Sequence, residues 1–130
     1  MRKTANQRLA EREARARQEL LDSLFDPWIG QAGKTDRPNR LDLVDPRQAD
    51  DVALALKAEI AGTFAELTRE TQTRIRAALT VLAQSDGAEF REYWLDLRAP
   101  FGTTEQDADA IFPVVARTFG VKLPDAPADR

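Results

Sequence analysis

The feature that most constrains this chain is a long recurrence of apolar positions: Val52, Leu56, Ile60, Phe64, Leu67, Ile75, Leu79 and Leu82, with Thr71 in the one missing step. The steps of four and three average about 3.75 residues, which is helical and longer than the ~3.5 of a left-handed coiled coil. A leucine zipper is thereby disfavoured, and one helix over residues 47–84 is expected, because no Gly, Pro or Asn marks a break in its polar stretch from Thr68 to Arg74. Such a helix would be roughly 57 Å long, against a radius of gyration of about 13 Å for a compact 100-residue domain. It therefore needs a covering partner, and a homo-oligomer interface is expected at Leu56, Ile60, Phe64 and Leu67.

Composition agrees with helix. The 21 Ala and 14 Leu outnumber Val plus Ile more than threefold, and unbranched side chains lose little rotamer freedom in helices. The expected fold is all-α: a helical bundle with a long central helix and a C-terminal helical pair, oligomeric. Residues 1–26 are read as a basic N-terminal helix, 27–45 as a loop, 46–123 as the helical core domain and 124–130 as a disordered tail. Asp45-Pro46 reads as an N-cap with Pro in the first turn, and Leu41, Leu43 and Val44 as an extended stretch tacking down the loop. Asp86 with Glu89 reads as the cap of the next helix, whose Phe90, Tyr93, Trp94 and Leu97 share one face. Thr104 with Asp107 opens the last helix and Gly120 closes it, with Pro113 expected to kink or split it.

The absences bear on function. With no Cys and no His, disulfides, thiolate nucleophiles, zinc fingers and imidazole proton shuttles are excluded. A non-enzyme with no cofactor and no metal is therefore expected. Carboxylate pairs at helical spacing, Glu66 with Glu70 and Glu89 with Glu92, have Arg neighbours and read as surface ion pairs. Gly33-Lys34-Thr35 matches the end of a phosphate-binding loop, but that motif needs a glycine where Trp28 stands and a strand before it. No apolar run approaches the ~18 residues needed to span a bilayer, and Arg2 and Lys3 lead into polar residues, so a soluble, cytoplasmic chain is expected.

Net charge is −3, from 19 Lys+Arg and 22 Asp+Glu, and it is unevenly spread. Arg2, Lys3, Arg8, Arg12, Arg15 and Arg17 face only Glu11 and Glu13 in the first 17 residues. A basic arm precedes an acidic body. Glu11 with Arg15 and Glu13 with Arg17 are i, i+4 pairs in the stabilising orientation, which favours a solvated or protein-docking arm. The function expected is a small helical protein-interaction module, an adaptor, chaperone or assembly factor with an unidentified protein partner. The alternative is a nucleic-acid-associated regulator contacting phosphates through Arg8, Arg12, Arg15 and Arg17.

Overall fold

The computed structural model describes residues 4–33, 41–84 and 87–123. The chain is all-helical, with six α-helices and no strand among the described residues. They are α1 (Ala5–Phe25), α2 (Ala49–Glu59), α3 (Ala61–Glu66), α4 (Arg69–Ala83), α5 (Ala88–Leu97) and α6 (Glu105–Thr118). The sixth helix packs on α2, α4 and α5, and the first lies along α4. No helix among the described residues is long and apolar enough to cross a membrane.

Local chemistry sets the boundaries. Thr4 opens α1 with a reciprocal cap: its Oγ1 accepts from the Gln7 N–H at 3.1 Å, and Gln7 Oε1 accepts from the Thr4 N–H at 2.8 Å. The α-helix ends at Phe25, where φ is −95° and ψ 16°, and passes into a 3₁₀ turn over Asp26–Trp28; Pro27 in that turn has no N–H with which to extend the helical ladder. Thr104 Oγ1 accepts from the Asp107 N–H to start α6. At its far end the Val121 N–H reaches Ala116 O at 2.8 Å and the Gly120 N–H reaches Arg117 O at 3.2 Å. This closure needs Gly120 at φ +77°. Pro113 lies inside α6 without splitting it.

The single helix expected over 47–84 is in fact three. At Ile60 the chain bends but keeps its bond to Leu56 O at 2.8 Å. At Leu67 and Thr68 it becomes extended, with ψ of 156° and 157°. Thr68 then caps α4, its Oγ1 accepting from the Thr71 N–H, and Gln72 Nε2 donates to Phe64 O at 2.8 Å and Leu67 O at 3.2 Å. Thr71 thus belongs to a cap rather than to an apolar stripe. Hydroxyls that bond to nearby backbone offer the chain an alternative to continuous helix, and the bends let α2 and α4 bury their apolar faces within one chain.

Leu56 and Ile60 are consequently fully enclosed, Phe64 is buried and Leu67 is half-buried against the core. The uncovered surface that pointed to an oligomer at these four residues is taken up by α6 and by the segment just beyond it. Phe64 meets the Phe119 ring at 4.9 Å between centroids, and Arg76 lies over Phe64 while its Nε donates to Phe119 O at 2.9 Å.

Two other boundaries differ from expectation. Asp45 does not cap α2, which starts at Ala49 after Gln48; its carboxylate accepts from the Arg47 N–H and its carbonyl from the Gln48 N–H, closing a turn upstream. Leu41–Leu43 is a 3₁₀ turn rather than extended, with Leu41 buried and Leu43 exposed. The expected Asp86 cap, the phosphate-loop-like Lys34 and Thr35, and the tail over 124–130 lie outside the described residues.

The core centres on an aromatic cluster. Phe25 at the end of α1 and Trp28 in the 3₁₀ turn after it meet Trp94 edge-on at 5.5 and 6.1 Å, and Phe101 packs on Trp28 at 5.1 Å. Both buried indoles are satisfied, Trp28 Nε1 by Glu59 and Trp94 Nε1 by Gly102 O, each at 2.9 Å. The segment after α1 is fastened to the end of α5 by Gly30 N–H to Leu97 O and Ala32 N–H to Arg98 O, both 2.9 Å.

Candidate interaction surface on the first helix

The four arginines of the basic arm do not act together. Arg17 turns inward and makes a forked pair with Glu89 in the first turn of α5, Nε to Oε2 and Nη2 to Oε1, both 2.8 Å. Less than a third of either side chain is exposed. The hydrogen bonds from Arg17 to Glu89 hold the guanidinium above its already high ordinary pKa, against the opposing effect of burial. Arg17 is therefore a clamp between α1 and α5. Arg8, Arg12 and Arg15 are exposed, and at about 100° per residue they fall within roughly 60° of arc. That stripe is opposite the face of α1 that buries Leu21, Leu24 and Phe25.

The first half of α1 stands clear of the core. Residues 4–13 are exposed on every side of the helix, so about 15 Å of helix extends past the body. Leu9 on this arm is 53% exposed. Where α1 meets the body, a shallow groove of about 310 Å³ runs between it and α4. It is lined by Ala16, Leu20, Ala77, Ala78 and Val81 together with the charged Glu13, Arg17 and Arg74, and Val81 is 44% exposed. The end of α4 is legible in the sequence as apolar on most faces, but the groove depends on where α1 lies and has no local signature.

A second hollow, about 290 Å³, is lined by Gln18, Asp22, Ile29, Tyr93, Asp96 and Leu97. The Tyr93 hydroxyl donates to Asp22 Oδ1 at 2.9 Å. Burial, with the Asp22 bond and charge adding to it, pushes the phenol far above its ordinary pKa, so near neutral pH it stays protonated and holds the two helices together. Glu70 pairs with Arg74 at 2.7 Å and Glu89 with Arg17; Glu66 and Glu92 are exposed. Among the described residues no three Asp or Glu converge as a metal site would require, and no polar or charged residue is fully buried.

The sequence matches no protein-family model, no curated protein and no solved structure.

Proposed function

We propose that this chain is a small protein-interaction module without catalytic chemistry of its own, and that it docks through the α1 arm and the adjoining α1/α4 groove. The observation that supports it is the arm itself. A helix exposed on all sides gains nothing from packing, and most helical stability in proteins comes from packing. Here the exposed arm carries a large apolar side chain, Leu9, and runs into a groove lined largely by small and aliphatic residues. The experiment is photo-crosslinking in cell extract from a photoreactive residue at position 9. Protein adducts that survive nuclease are expected; adducts that disappear with nuclease would overturn the reading.

One observation favours a second reading, a nucleic-acid-associated regulator, since the Arg8, Arg12 and Arg15 stripe points away from the acidic body. Capture of Arg17 by Glu89 leaves three phosphate contacts instead of four, so log affinity would fall with log salt at a slope of about −2.7. Glu19 and Asp22 continue the same face with the opposite sign and would repel the polyanion. The protein-docking reading ranks first for that reason.

A further inference from the structure

The outward face of α1 changes sign halfway along. Arg8, Arg12 and Arg15 are followed by Glu19 and Asp22, all exposed and all within about 80° of arc, with Asp22 at the edge of the face, where its Oδ1 also accepts from the Tyr93 hydroxyl. The helix has no acid in its first turn and no base in its last, so this distribution opposes the helix dipole and gives the isolated helix no support. Between molecules it has an effect. Two copies of α1 laid antiparallel set the basic half of each against the acidic half of the other, whereas a parallel pair sets like charge on like.

The apolar residues select the same arrangement. Leu9, Ala16 and Leu20 fall within about 40° of arc beside the charged face, and the α4 residues Ala77 and Val81 line the groove with Ala16 and Leu20. In an antiparallel pair centred near residue 15, Leu9 stands level with Leu20 of a second copy, at its α1/α4 groove. In the same register Arg12 is level with Glu19, and Arg8 with Asp22. Arg15 meets its own counterpart at the centre, on the edge of the face away from Leu9 and flanked by Glu11 and Glu19 of its own helix.

We propose that the partner of this surface is a second copy of the chain, docked through α1 antiparallel to α1 about a two-fold axis, with Leu9 of each copy seated in the α1/α4 groove of the other. The proposal rests on the protein-docking reading above. An isologous contact of this kind closes at two subunits. The exposed ion pairs contribute little affinity but fix orientation, and the apolar contact supplies the rest.

The test is light scattering of the full chain over a concentration series, comparing wild type with Leu9→Glu, Arg12→Glu and Glu19→Arg, each checked for unchanged helical circular dichroism. Wild type is expected to move from 14.5 kDa toward twice that mass with concentration, and Leu9→Glu to stay monomeric. Arg12→Glu alone opposes acid to acid and Glu19→Arg alone opposes base to base, so both weaken association. Mixed together they restore opposite charges and form a heterodimer. Wild type fixed at 14.5 kDa, or a mixture no more associated than its components, overturns the proposal. If wild type is monomeric while position 9 still crosslinks to another protein, self-association is wrong and the docking reading stands; nucleic-acid adducts there overturn both.

Discussion

Gly102 is a demanding test of the packing. It lies in the buried turn between α5 and α6 at φ +73°, and its carbonyl accepts the Trp94 indole N–H at 2.9 Å. A methyl group at this position would overlap Ile111 Cδ1 and come within 3.1 Å of Trp94 Nε1. Ile111 is fully enclosed on α6, so its Cδ1 can yield only by displacing core neighbours. Left-handed backbone costs a non-glycine residue about 1–2 kcal/mol, and forcing a methyl into a packed core costs about 1–3 kcal/mol. Gly102→Ala should therefore lose about 2–5 kcal/mol, with more if the indole N–H is left unpaired, out of a total of about 5–15 kcal/mol for a native domain. Gly120→Ala is the matched control, since φ is +77° but nothing lies within 4 Å of the added methyl, so only the backbone cost should appear. Urea unfolding followed by tryptophan fluorescence measures both. Equal losses in the two variants would refute the packing argument and leave backbone conformation as the whole effect.

Particular contacts set three further outcomes. Because the Tyr93 phenol is raised in the folded state, its contribution is fully present below the unfolded value near 10 and is lost as pH rises beyond it, by up to ~1.4 kcal/mol per pH unit; Tyr93→Phe should flatten that alkaline loss in denaturation curves, and an unchanged slope would assign it elsewhere. Arg17→Ala breaks a forked pair that is only partly shielded from solvent and should cost about 1–2 kcal/mol after allowing for screening, less in high salt; equal costs at low and high salt would argue against an ionic origin. Thr68→Ala removes the α4 cap and should cost about 1 kcal/mol in the same assay, while no loss would show that Gln72 alone holds the break.

What can be read from sequence divides by distance along the chain. Phe90, Tyr93, Trp94 and Leu97 announce a buried helical face because burial follows a local period, and all four are buried. Thr104 with Asp107 and Gly120 are equally local, and both ends of α6 lie where they indicate. The break at Thr68 is harder to see, since Ile60, Phe64, Leu67 and Ile75 keep helical spacing straight through two bends. Only the hydroxyl of Thr68 and the amide of Gln72 reveal it, and either residue is tolerated inside a helix. The Arg17–Glu89 clamp joins residues 72 apart, while sequence offers Arg17 a local partner in Glu13. The groove depends on how α1 is laid against α4, which no window of sequence contains.

The arm's stability can be argued on the same terms. Residues 4–13 have the Thr4 and Gln7 cap, good helix formers in Ala5 and Ala10, and Glu11 and Glu13 four residues ahead of Arg15 and Arg17. Against these stand an adverse dipole arrangement and exposure on every side. Isolated helices this short are marginal in water, so amides over residues 5–13 should exchange with solvent far faster than those of Leu21, Leu24 and Phe25, which open only with the body. Hydrogen exchange at low protein concentration should show protection rising along α1, with its main increase near Arg17, where the clamp to Glu89 begins. Raising the concentration should then slow exchange around Leu9 selectively, because docking of a second copy supplies the packing that the arm lacks. Strong protection at Leu9 that is independent of concentration would refute the exposed arm, since it would require burial of that segment within the single chain.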